Sequence, residues 1–117
     1  DQVTAGKPAP VFFDRVVSPS FVPDVVEATL FMIRHRPAFG VYHCVNSGHA
    51  TWLDVAREIT RCLGLPDTSL TPVSVRDVPM RAARPQYAAL DNGKLAAAGC
   101  SMPPWQDAIA RYLAERA

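Results

Sequence analysis

The 117-residue sequence has little lysine, with Lys7 and Lys94 the only two, and its arginines are scattered rather than clustered. At a net charge of +1 it carries no basic stripe able to neutralise a run of phosphates, which excludes nucleic acid as an expected partner. Cysteine is scarce too. Cys44, Cys62 and Cys100 are odd in number, widely spaced and without a Cys-x-x-Cys pair, so neither a disulfide framework nor a zinc knuckle is predicted. No apolar stretch approaches the roughly 20 residues needed to cross a bilayer, and no basic-then-apolar leader precedes the first predicted strand. The expectation is a cytoplasmic protein without a membrane partner.

Two further absences concern chemistry. No Gly-x-Gly-x-x-Gly follows any predicted strand, so no tight turn brings backbone N–H groups against a dinucleotide pyrophosphate. No tyrosine has a lysine four residues later: Tyr42, Tyr87 and Tyr112 are followed at that spacing by Asn46, Asp91 and Arg116. A Tyr-x-x-x-Lys hydride-transfer site needs that lysine to lower the tyrosine pKa. The sequence therefore predicts no catalytic residue, no cofactor-binding residue and no metal ligand in this chain.

What is present describes one globular domain over residues 1–117, with 49% hydrophobic and 20% charged residues. Pro10 to Phe13 reads as a short buried strand closed by Asp14. Pro23 suits a first helical turn, and Val26, Leu30 and Ile33 recur at helical spacing up to His35, Arg36 and Pro37. Gly40 to Val45, with β-branched and aromatic residues bounded by the Asn46-Ser47-Gly48 cluster, gives the strongest strand signal. Thr51 and Asp54 have capping-box spacing ahead of an apolar helical face of Trp52, Val55, Ala56, Ile59, Cys62 and Leu63, which Gly64 and Pro66 terminate. Leu70 to Val75 reads as a strand, placed at an edge by Pro72. Asp91 caps a short helix to Ala98, and Pro103-Pro104 introduces a last helix with Trp105, Ala108, Ile109, Tyr112 and Leu113 on one face. Such an order is α/β, with short strands and about four helices and no complete doubly wound sheet.

Between the last strand and the last two helices lies a proline-punctuated loop from Asp77 to Tyr87 carrying Arg81 and Arg84. Loops of this length in compact domains are often functional. A guanidinium can grip a phosphate with two parallel N–H donors, which makes Arg84 the leading anion-binding candidate, with Arg15 and Arg81 behind it. A surface ion pair of Arg84 with Asp77 or Asp91 is the competing reading. His43, Cys44 and His49 read as structural, because adjacent strand residues face opposite ways and a lone cysteine in an apolar run belongs in the core. Trp52 and Trp105, both at helix starts, read as core aromatics ahead of sugar-stacking platforms.

The order of these motifs resembles the C-terminal region of the dTDP-4-dehydrorhamnose reductase family, extended short-chain dehydrogenase/reductases. Asp14-Arg15-Val16-Val17-Ser18-Pro19-Ser20 is similar to the family's Asp-Gln-x-Gly-x-Pro-Thr segment, and Gly40-Val41-Tyr42-His43 followed by Thr51-Trp52 to its Gly-x-Tyr-His strand and Ser-Trp helix start. Ala83-Arg84-Pro85, Leu90-Asp91, Lys94-Leu95 and Trp105 complete the order over nearly the whole chain. Arg15 stands where the family has Gln, Val17 where it has Gly, Ser20 where it has Thr and Ala88 where it usually has Ser.

The resemblance implies a small C-terminal substrate-binding domain of a nucleotide-sugar reductase in dTDP-L-rhamnose biosynthesis. It places NADPH and the Tyr-x-x-x-Lys chemistry in an N-terminal Rossmann domain absent from this chain, and puts Arg15 and Ser18 beside Arg84 at the sugar nucleotide. The chain is then inactive alone. The alternative is a noncatalytic regulatory or protein-interaction module of the same fold. The start at Asp1, without an initiator methionine, suggests a fragment, and a fragment exposing the apolar face of a missing half is expected to form a homo-oligomer.

Overall fold

The computed structural model describes residue 2 and residues 4–116. The elements in chain order are β1 (Ala9–Phe12), β2 (Val16–Val17), α1 (Val22–His35), β3 (Ala50–Thr51), α2 (Trp52–Cys62), β4 (Leu70–Val73), a single 3-10 turn (Val75–Asp77), α3 (Gly93–Ala97) and α4 (Trp105–Arg116). The fold is mixed α/β. Its strands form two small sheets: β1 pairs with β4 in parallel from Ala9↔Leu70 to Phe12↔Val73, and β2 pairs with β3 antiparallel through Val16↔Thr51 and Val17↔Ala50. Pro72 is tolerated because a two-stranded sheet consists only of edges. Of the opening polar run, Asp1 and Val3 lie outside the described residues, while the Lys7 N–H donates to the Gln2 carbonyl at 2.9 Å.

Capping sets where α2 begins. The Thr51 hydroxyl accepts from Asp54 N–H at 3.0 Å, and the Asp54 carboxylate accepts from Thr51 N–H at 3.0 Å, so two otherwise unpaired donors are satisfied at once. Behind that start, Val55 of α2 packs with Ala50, Trp105 and Ile109, supported by Ile59, Cys62 and Leu113. Trp105 is 8% exposed, as a core aromatic should be. Trp52 is 40% exposed. Leu53 and Val55 turn inward instead, so the buried face of α2 starts one residue later than the periodicity suggested.

A second core gathers Ala28 of α1, Leu95 of α3 and Met102, with Met32, Tyr42, Cys44 and Cys100 around them. The small Ala28 is the point where α1 enters this core, and it is fully buried. The Val26, Leu30 and Ile33 stripe does not supply the inner face: Val26 and Ile33 are exposed, with Val22 beside them. Periodicity identified an apolar stripe without revealing that α1 meets this core through Ala28 and Met32.

Gly40 to Val45 is the clearest departure from expectation. Among the described residues the segment joins no ladder. Tyr42 and Cys44 turn toward the second core, and Val41 and His43 turn out, as β alternation requires. The residues alternate in burial, but a strand also needs a partner. Gly40 has a reason of its own, a φ of 153° that side-chain-bearing residues rarely adopt, and beside it Lys94 Nζ sits 4.6 Å from the centre of the Tyr42 ring.

Asn46, fully buried, ties the start of α1 to the chain before α4. Its carbonyl accepts from Phe21 N–H at 2.8 Å, and its amide donates to Asp24 at 2.7 Å and to the Pro103 carbonyl at 3.1 Å. Arg111 of α4 clamps the same Asp24 through both carboxylate oxygens, at 2.9 and 2.6 Å, and also donates to Asp107 at 2.8 Å. The Arg111 guanidinium, followed by the Asn46 amide, holds the Asp24 carboxyl below the usual carboxylate range against an opposing push from burial.

Candidate functional site

Two fixed points hold the long loop over Arg15. At one end, the Asp14 carboxylate accepts from the Ser74 hydroxyl at 2.5 Å and from Val75 N–H at 2.9 Å. The Ser74 bond, then the Val75 bond, hold the Asp14 carboxyl below its ordinary range. At the other end, Val16 donates to the Gln86 carbonyl at 2.9 Å and accepts from Ala88 N–H at 2.8 Å, a parallel bridge of Val16 with Tyr87. Residues 78–85 must arch between these anchors, and the arch encloses a cleft of about 350 Å³ above Arg15.

Arg15 and Arg84, 69 residues apart in sequence, both line this cleft, with Gln86 and the apolar Val75, Val78 and Met80 among the other walls; no carboxylate lines it. Arg84 makes no ion pair among the described residues, with Asp77 or with Asp91. The Arg15 Nε is buried and has no hydrogen-bond partner among the described residues. A buried donor left unpaired is costly, and a cleft lined by two arginines and no carboxylate is suited to an incoming anion. Arg81, the weaker loop candidate, does not line this cleft.

Ser18 is placed elsewhere. Its hydroxyl accepts from Leu90 N–H at 2.8 Å and lies 3.4 Å from the Leu90 carbonyl, so it fixes the chain that continues from the arginine cleft toward α3. That chain borders a second cleft of about 380 Å³, lined by His49, Tyr87 and Asp91 together with Gly48, Ala89, Leu90 and Asn92. The His49 and Tyr87 rings lie 6.4 Å apart at 51°. Asp91 does not cap α3 as a preceding residue normally would; its carboxylate takes the Gly93 N–H at 2.6 Å, while Asn92 occupies the cap position and donates to the Val45 carbonyl and to Ser47. His49, Tyr87 and Asp91 went unnoticed as a group because nothing in their sequence spacing links them.

The remaining chemically interesting side chains separate. His43 is exposed with its Nδ1 3.1 Å from the Asp91 carbonyl, whereas Cys44 turns into the second core. Burial pushes the Cys100 thiol up, and the nearby Cys44 adds to this, the opposite of an activated nucleophile.

Residues 1–117 match the family described as the RmlD substrate binding domain. The chain is 32% identical over 106 residues to a spore coat polysaccharide biosynthesis protein of Bacillus subtilis, covering 91% of this chain and 36% of that protein. It is 30% identical over 100 residues to a dTDP-4-dehydrorhamnose reductase of Mycolicibacterium smegmatis, covering 85% and 31%. The crystal structure of a dTDP-4-dehydrorhamnose reductase from Clostridium acetobutylicum superposes with a TM-score of 0.83 at 27% identity, over 94% of this chain and 39% of that one. The Bacillus anthracis reductase, crystallised in complex with NADP, gives 0.83 at 26% identity, over 97% and 40%. The chain thus spans about a third of the length of these curated relatives. By motif order, fold and full-length match, it belongs to the RmlD substrate-binding domain family, the substrate-binding region of dTDP-4-dehydrorhamnose reductases.

Proposed function

We propose that this chain is the sugar-nucleotide-binding portion of an NADPH-dependent reductase that acts on a dTDP-4-dehydrorhamnose-like keto sugar in dTDP-L-rhamnose biosynthesis in the cytoplasm. The observation that carries this reading is the pairing of Arg15 and Arg84 in a cleft without a carboxylate, one of them with a buried unpaired Nε. Such a cleft suits a diphosphate, which offers acceptor oxygens to both guanidinium groups. Among the described residues no helix is long and apolar enough to cross a membrane.

The residues present do not fit a dinucleotide. The sequence has no glycine-rich turn between a strand and a helix and no lysine four residues after a tyrosine, so no step of hydride transfer is assigned to this chain. NADPH, when bound, supplies the hydride, and in this reading it belongs to an N-terminal Rossmann half that makes residues 1–117 one substrate-binding domain, inactive alone. The exposed apolar Val22, Val26 and Ile33 of α1 support a protein partner. The same surface favours the second reading, a noncatalytic interaction module, and also self-association of the isolated chain.

Arg84→Ala tests the proposal by calorimetric titration with dTDP-L-rhamnose. Loss of affinity by about tenfold or more, with the circular-dichroism spectrum unchanged, is the expected result; an unaltered affinity removes the arginine cleft from the site.

A further inference from the structure

We propose that Met32, Cys44, Cys100 and Met102 form a binding site for a soft, sulfur-seeking cation of the copper(I) type in the second core. None of the four lines the arginine cleft, so the inference stands apart from the reading of that cleft.

Sulfur is unevenly placed in this chain. There are three cysteines and three methionines, and four of these six side chains gather at one place. Met102 is buried beside Ala28 and Leu95, and Met32, Cys44 and Cys100 pack against that group. The first core is built instead from Val55, Trp105, Ile109, Ile59 and Leu113, with Cys62 as its sulfur. Methionine and cysteine fill gaps in any core, but here two thiols and two thioethers take the places that branched aliphatics hold in the other. The donor set names the ion. Zinc takes thiolate, imidazole and carboxylate, whereas thioether makes up half of this set, and thiolate with thioether selects copper(I). Only Cys100 and Met102 are close in sequence, so spacing alone does not reveal the group.

The backbone around each ligand is held. The Met32 carbonyl accepts from Arg36 N–H at 3.0 Å, and Cys100 N–H donates to the Leu95 carbonyl at 3.2 Å. The Met102 carbonyl accepts from the Ser47 hydroxyl at 2.7 Å, and the Val45 carbonyl, next to Cys44, accepts from the Asn92 amide at 2.9 Å. Side-chain rotation is then the main freedom left for bringing sulfur onto an ion. A way in exists as well. Cys100 and Met102 line an open cleft of about 400 Å³ together with Asp24 and Glu27. Arg111 neutralises Asp24, while the exposed Glu27 carboxylate draws a cation to the mouth. Burial, then the neighbouring Cys44, keeps the Cys100 thiol protonated, and a bound cation takes the place of that proton. Each thiol that binds releases its proton, and copper remains copper(I) throughout.

The experiment titrates the 117-residue chain, without oxygen and with ascorbate present, into the coloured copper(I) complex of bathocuproine disulfonate, whose fading reports copper taken up by the protein. The wild type should withdraw a single equivalent, and Cys62→Ser, which removes the remaining thiol, should do the same. Cys44→Ser and Cys100→Ser should each weaken binding by about a hundredfold or more, and Met32→Leu and Met102→Leu by about tenfold. Circular dichroism identifies the variants that fold. Leucine nearly conserves the volume of methionine, so the methionine variants decide the matter even where a serine variant does not fold. Copper(I) should also raise the urea midpoint of the wild type and leave that of Cys100→Ser unchanged. If the indicator keeps its copper, if uptake disappears with Cys62→Ser, or if the methionine variants bind as the wild type does, the site is not there.

Discussion

Arg111 and Arg15 are the same residue type in opposite circumstances. Arg111 is used up by the fold: its guanidinium clamps Asp24, reaches Asp107 and lies 5.0 Å from the centre of the Phe21 ring. Arg15, with its buried Nε unpaired, and the unpaired Arg84 face a cleft that contains no acid. Satisfied polar groups hold a structure, and unsatisfied ones placed together in a cleft are available to a ligand. On this comparison, substitutions around Asn46 and Arg111 should change stability, and substitutions at Arg15 and Arg84 should change binding.

Asn46→Ala should show the largest effect. It removes one buried and two part-buried hydrogen bonds and leaves the Phe21 N–H without its partner, while the Pro103 carbonyl keeps the Ser47 N–H, for a loss of about 3 kcal/mol measured by urea unfolding. Arg111→Ala should cost less, about 1–2 kcal/mol, because Arg111 is 38% exposed and water screens part of its attraction to Asp24. The same pair gives a pH dependence. Asp24 has its folded pKa lowered, so the folded protein binds this proton less readily than the unfolded chain does. The stability it adds is therefore complete above the unfolded value of about 4 and is lost as the pH falls through the lower folded value. Urea midpoints measured from pH 6 downward should decline less steeply in Arg111→Ala than in the wild type. Thr51→Ala, which breaks the capping box of α2, should cost about 1 kcal/mol in the same assay.

Arg84→Ala should have the smallest effect on stability, within about 0.5 kcal/mol of wild type, since its side chain makes no ion pair among the described residues. A loss as large as that of Arg111→Ala would show that Arg84 is also part of the scaffold and would collapse the distinction between the two regions.

The readable parts of the fold were those set by neighbours in sequence. Thr51 and Asp54 announced α2, Pro23 and the stop at His35, Arg36 and Pro37 framed α1, and Pro72 marked an edge. What depended on distant partners was hidden. Asn46 appeared only as a turn residue, and Arg111 meets Asp24 across 87 positions, with the i,i+4 spacing from Asp107 as its one local signal. Gly40 to Val45 showed the limit from the other side, with a strong strand pattern that finds no ladder among the described residues. At the site, residue type singled out Arg84 and motif order added Arg15, while the arch that brings them together is a product of the Asp14 and Val16 anchors. Ser18, expected at the ligand from the motif order, fixes Leu90 at the boundary of the second cleft.

The central claim is that residues 1–117 bind the sugar nucleotide and leave the dinucleotide to another part of the enzyme. Parallel calorimetric titrations of the wild-type chain with dTDP-L-rhamnose and with NADPH test it most directly. The account predicts saturable heat with the sugar nucleotide and none with NADPH; saturable NADPH binding with no response to the sugar nucleotide would contradict it.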